Sequence, residues 1–206
     1  MRLAPTTDRR SLNFALLAAT ATLWAPPLAS NAAAAPPFEL VLPPSFVRLS
    51  NLGGTSSGAG YLLVAGDFRT TIGSGGATTL SVQLLDPGGL PPLSPASVDT
   101  ILSFATALAQ SRDRDTTNPT PSQVLADAVT TNAEASRIRF EMLTSLTGSD
   151  PTKADPSLVR HTLVQAELAP EGVLVLWAGA QQADWDKGAA ETLRAAADTF
   201  GATRRP

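Results

Sequence analysis

The chain has 206 residues, enough for one domain with a single core once a leader is set aside. Hydrophobic residues make up 43% and charged residues 16%, a globular rather than a disordered balance, and the absence of cysteine excludes disulfides, thiol nucleophiles and cysteine-ligated metal centres. The formal net charge is −3, and residues 36–206 carry twelve basic against seventeen acidic side chains with no Lys/Arg cluster, so nucleic acid is not an expected partner.

Residues 1–35 read as an export signal. Arg9-Arg10 precede the apolar run Ser11–Ala19, apolar sequence continues to Leu28, and Ala29–Ala35 offers small-residue cleavage frames. Paired arginines before the apolar run point to the twin-arginine route, which carries folded cargo. The run is broken by Pro26-Pro27 and is short for a membrane anchor. Cleavage leaves residues 36–206 as one domain.

In that domain Phe38–Leu42 alternates as a first strand, ended by Pro43-Pro44. Gly53–Gly60 is a flexible loop, Tyr61–Phe68 a strand, Gly73–Gly76 a loose turn. Thr78–Leu85 is a strand with Leu80, Val82 and Leu84 on one face. After the Gly/Pro-rich segment Asp86–Pro95, Ser94 is placed to cap a helix with Pro95 at its first position. Val98, Ile101, Leu102, Ala105, Leu108 and Ala109 build its apolar stripe. Arg112–Pro121 is expected as a polar connection. Val124–Thr131 fits a strand or a helix equally. Ser136–Leu146 alternates Ile138, Phe140 and Met142 against Arg137, Arg139 and Glu141, a half-exposed strand, and Thr147–Ser157 is expected as a loop.

The last quarter is the clearest. Arg160–Leu168 alternates, with His161, Leu163, Gln165 and Glu167 on a wetter face. Ala169-Pro170-Glu171-Gly172 is a turn. Val173–Ala178 is a short apolar strand covered on both faces. A polar loop, Gly179–Asp184, leads into a helix from Trp185 with Ala189, Leu193, Ala196, Ala197 and Phe200 in one stripe, stopped by Gly201. The sum is an α+β domain: six or seven strands, mostly antiparallel because hairpins dominate, with helices covering the faces.

Candidate chemistry is sparse. His161 is the single histidine, and no G-x-S-x-G accompanies it, so a serine triad is not expected. His161 opens one strand, and Asp184 and Asp186 flank Trp185 in the loop after the next; a tight hairpin brings these near each other. The alternative is a solvated histidine and an aspartate capping the last helix. Asp113 and Asp115 lack the spacing of a calcium loop, and Gly73–Thr78 lacks the following helix of a phosphate loop. Trp177 and Trp185 read as core and helix-anchoring residues.

Val159–Phe200 resembles the end of the PsbP family, the extrinsic lumenal proteins of photosynthetic membranes. The resemblance lies in His161 near a strand start, Gly172 in the turn, the strand Val173–Trp177, Ala178-Gly179, Trp185, and a helix ending at Phe200. Phe38–Leu49, an alternating strand followed by prolines and an aromatic, resembles the family's opening. The resemblance implies an αβα sandwich with a mostly antiparallel central sheet, as PsbP proteins share with the Mog1 family. It also implies a non-enzymatic protein of the thylakoid lumen, peripheral to the membrane, associated with photosystem II or another thylakoid complex. The family's metals would be Ca²⁺ or Mn²⁺, held here by His161 and Asp184. The leader is then bacterial in type, or that of an incomplete plant or algal precursor. Lys187 is the lone lysine in Val159–Phe200, and Pro36-Pro37 lead straight into Phe38 with no extended arm. Both features favour an auxiliary assembly, repair or stabilising factor over the stoichiometric oxygen-evolving subunit. The rival from another class is an exported enzyme or small-ligand-binding protein on the same sandwich. A binder of a small GTPase, as in the Mog1 family, fits poorly with an export leader.

Overall fold

The computed structural model describes residues 36–49, 60–69, 76–92, 98–116, 121–132, 136–147 and 154–203. The export signal, most of the Gly53–Gly60 loop and of the Gly73–Gly76 turn, the Ser94-Pro95 cap and residues 148–153 of the expected loop lie outside these residues.

Among the described residues nine strands and two longer helices follow one another as β1 (Phe38–Glu39), β2 (Val47–Arg48), β3 (Gly60–Asp67), β4 (Thr78–Leu85), α1 (Val98–Thr116), β5 (Gln123–Asn132), β6 (Arg137–Thr147), β7 (Ala154–Ala169), β8 (Gly172–Gln181), a helical turn α2 (Gln182–Asp184), α3 (Ala190–Asp198) and β9 (Gly201–Ala202). Seven strands form one sheet in the order β2-β3-β4-β8-β7-β6-β5, and β1 pairs with β9 in a separate two-stranded ribbon. Every pairing is antiparallel. β8 lies at the centre, buried along its whole length, as its unbroken run VLVLWA anticipates.

Because side chains alternate across a strand, the sheet divides two cores. On one face Leu80, Val82, Leu163, Leu174, Leu176 and Ala178 pack with Trp185, Leu193 and Phe200 of the C-terminal segment. On the other, Ile138, Phe140, Met142, Val164, Val175 and Trp177 pack with Ile101, Phe104, Ala105 and Leu108 of α1. The result is the expected αβα sandwich, one helical layer on each face of an antiparallel sheet. No helix among the described residues is long and apolar enough to cross a membrane.

Several boundaries differ from the sequence reading. The first strand is two residues long, since Leu40 and Leu42 turn inward against the core after pairing ends. α1 runs on to Thr116, into the stretch Arg112–Pro121 expected as a polar connection, of which residues 117–120 lie outside the described residues. Its last turns are held from below: Arg112 donates to Tyr61 Oη and lies over the Trp177 ring at 5.1 Å, and Asp113 accepts from Ser122 Oγ at 2.6 Å. Val124–Thr131 is a strand at the sheet edge, irregular between Leu125 and Thr130. β7 starts at Ala154, inside the expected loop, by pairing with Thr147. β8 extends through Gly179, Ala180 and Gln181, because β7 continues to offer partners as far as Arg160. The single expected helix from Trp185 is divided. A π-helical turn, Trp185–Ala189, contains Gly188 at φ +112°, and α3 follows. α3 ends at Asp198 with Thr199 as its cap, short of the expected end at Phe200, and Gly201, expected to stop the helix, instead opens β9, which pairs Ala202 with Phe38.

Candidate functional site

The face of β6 and β7 that lies under α3 carries paired polar side chains where the neighbouring strands carry leucines. Register sets Arg137 opposite Glu167 and Arg139 opposite Gln165. Arg137 Nη2–H donates to Glu167 Oε2 at 2.7 Å. Arg139 donates to Gln165 Oε1 at 2.6 Å and to Asp198 Oδ1 of α3 at 2.7 Å. Gln165, fully buried, donates from Nε2 to Phe200 O at 3.1 Å. These bonds satisfy the polar half of the face and tie it to the end of α3.

His161 stands further along the same face. Its Nε2 meets Glu141 Oε2 at 2.8 Å, and the other Glu141 oxygen accepts from Arg194 of α3 at 2.7 Å. Its Nδ1 meets Gln182 Oε1 at 3.1 Å. Gln182 Nε2–H donates to Asp186 Oδ1 at 2.8 Å, which turns the amide oxygen toward the ring. Both ring nitrogens therefore face oxygen atoms of neighbouring side chains. The imidazole lies flat on Trp185, with centroids 3.9 Å apart and planes 4° apart. Arg194 covers the same indole at 5.3 Å, within cation–π range. His161 is 7% exposed and Trp185 5%.

The cluster thus joins β6, β7 and the segment from α2 to α3 through one imidazole. A histidine–carboxylate pair is part of many acid–base devices. Here the second ring nitrogen is taken by an amide, and no hydroxyl bonds to the ring among the described residues. The arrangement works as a clamp on the C-terminal helical segment.

Asp184, the other expected metal ligand, ends α2 immediately before Trp185. Its Oδ2 is buried without a hydrogen-bond partner. Among the described residues no group of three or more His, Cys, Asp or Glu side chains converges as a metal cluster. His161 and Asp184 alone fall well short of the six to eight oxygens of a Ca²⁺ shell, so the residues present do not fit that ion.

Trp177 and Trp185 lie on opposite faces of the sheet, both in the core. Trp177 Nε1–H donates to Gln83 Oε1 at 3.1 Å. The sequence reading singled out His161 but not its partners Glu141, Gln182 and Arg194. Part of the signal was present: the RIRFE alternation of β6 sets Arg137, Arg139 and Glu141 on one face, and HTLVQAE in β7 supplies acceptors and a histidine for it.

No protein-family model matches the chain, and no curated protein matches it in sequence. Among solved structures it is similar to cyanobacterial PsbP (CyanoP) from Synechocystis sp. PCC 6803, determined in solution. The TM-score is 0.53 at 13% sequence identity, over 81% of this chain and 87% of that one. The fold is therefore that of PsbP, as the resemblance in Val159–Phe200 implied.

Proposed function

We propose that the chain is a non-enzymatic, PsbP-like extrinsic protein of the thylakoid lumen, docked on photosystem II as an assembly, repair or stabilising factor. The observation that carries the reading is the PsbP fold, matched over most of both chains. The twin-arginine pattern of residues 1–35 supports the compartment. The shortage of lysine in Val159–Phe200 supports the auxiliary role, since docking to acidic surfaces through basic side chains would be weak. The use of the single histidine as a clamp supports a binding role over a catalytic one.

The deciding experiment is a native gel of protease-treated intact thylakoids, probed for this protein. Protection together with comigration with photosystem II or its assembly intermediates is the expected result. Comigration with another thylakoid complex would change the partner. Degradation by the protease would remove the lumenal assignment.

The same reading keeps a divalent-cation contact at His161 and Asp184. The buried, unpartnered Asp184 Oδ2 favours it, while His161 must release Gln182 or Glu141 to take part. Two protein ligands give weak binding, so Mn²⁺ at about millimolar concentration is expected to broaden the NMR signals of Asp184 and His161 before those elsewhere. Equal broadening in Asp184→Asn would remove the contact.

A further inference from the structure

On the α1 side of the sheet, where β8 ends beside β7, Arg160 carries a positive charge with no counter-charge among the described residues. Its Nη1–H donates to Ala77 O at 3.2 Å, and its Nη2 donates to Thr79 Oγ1 and, at 2.6 Å, to Gly179 O. All three acceptors are neutral. A guanidinium has five N–H donors, so these bonds leave two unused. Burial, with the nearby charge of Arg112 adding to it, lowers the pKa of Arg160 to about 10.

A second donor is stranded beside it. Gln181, the register partner of Arg160 across β7 and β8, is 7% exposed, and its Nε2 has no hydrogen-bond partner. Gly76 faces both residues. A Cβ at Gly76 would stand 3.9 Å from Arg160 Nη1 and 3.7 Å from Gln181 Cγ. The glycine therefore leaves a methyl-sized gap next to the guanidinium and the amide. Gly179, on the other side, is packed tightly instead: a Cβ there would come within 3.0 Å of Arg160 Nε and 2.8 Å of Thr162 Oγ1. A second guanidinium, Arg112, lies on the same face of the sheet, over Trp177.

Buried charges are ordinarily paired and buried amides bonded. Here, among the described residues, a half-buried cation with no carboxylate partner and a buried amide donor with no acceptor sit together, and what both lack is an anion with acceptor oxygens. We infer that Arg160 and Gln181, beneath Gly76, form a binding site for a small oxyanion of the phosphate or carboxylate class. The reading does not depend on the docking role proposed above.

The test is thermal unfolding of the full chain, titrated with inorganic phosphate and separately with acetate, with chloride added to hold ionic strength constant. One or both is expected to raise Tm saturably, by about 3–6 °C at ten times Kd. A response to phosphate alone assigns the phosphate class, and a response to acetate alone the carboxylate class. Gly76→Asp places a carboxylate where the ligand would sit. It is expected to start from a higher Tm and lose the titration. A rise that persists unchanged in Gly76→Asp, or that never saturates, would mean an adventitious ion only and overturn the site. Should Gly76→Asp not fold, NMR of the unaltered protein decides. Saturable shifts of the Gln181 side-chain amide and the Arg160 Nε–H support the site, and their absence removes it.

Discussion

Trp185→Ala is expected to destabilise the protein by about 3–5 kcal/mol, lowering Tm by about 6–20 °C. The indole is 5% exposed and belongs to the core beneath α3. It also forms the surface on which His161 lies at 3.9 Å and over which Arg194 is held. Removing it leaves a cavity and frees the imidazole to tilt away from Glu141 and Gln182. Trp185→Phe keeps a flat ring under His161 and should recover much of the loss. Thermal melts of the two variants are the measurement. A loss below about 1 kcal/mol for the alanine variant would show that the C-terminal segment is held by α3 alone and that the aromatic clamp adds nothing.

Gly172→Ala should cost about 2–4 kcal/mol, although it adds a single methyl group. Gly172 closes the turn between β7 and β8 at φ +152°, a conformation that side chains disfavour. A Cβ there would also approach Leu85 O of β4 to 2.4 Å. Backbone cannot move aside as a side-chain tip can. The start of β8 must therefore shift against β4, loosening the pair Leu85↔Val173 at the middle of the sheet. The exposed neighbour is the control: Glu171→Ala should stay within about 0.5 kcal/mol of the unaltered protein. Equal melting temperatures for the two variants would contradict this account of the turn.

Strand positions were legible wherever one rule governed them. β4 and β6 alternate cleanly, and β8 is apolar throughout, so period and composition placed all three. β5 was not legible because its side chains are mostly half-buried or exposed and its pairing is irregular at Leu125. The end of α1 was hidden for a different reason. RDRD reads as a solvated loop, but tertiary contacts from Tyr61, Trp177 and Ser122 hold it helical. The site divides along the same line. A single histidine draws notice in any sequence, and Asp184 was paired with it by the hairpin of the two strands and by the family resemblance. Glu141 reaches His161 from the adjacent strand only because the β6–β7 register brings them diagonally together. Arg160 appeared as the first residue of an alternating strand, and nothing in its neighbours signals that it lacks a carboxylate. That fact belongs to three strands at once.

The order of the sheet also dictates an order of assembly. β8 is the last of the seven strands in the chain and stands in the middle of them. While the ribosome is still working, β2–β4 and β5–β7 can each fold back on themselves, but they remain two separate meanders. The facing edges of β4 and β7 stay bare until residues 172–181 emerge, and bare edges are where strands from different molecules join. The ribbon of β1 and β9 closes later still, with Thr203 N–H donating to Pro37 O at 2.9 Å. A copy of the protein cut short before β8 is thus an open pair of half-sheets rather than a smaller version of the domain.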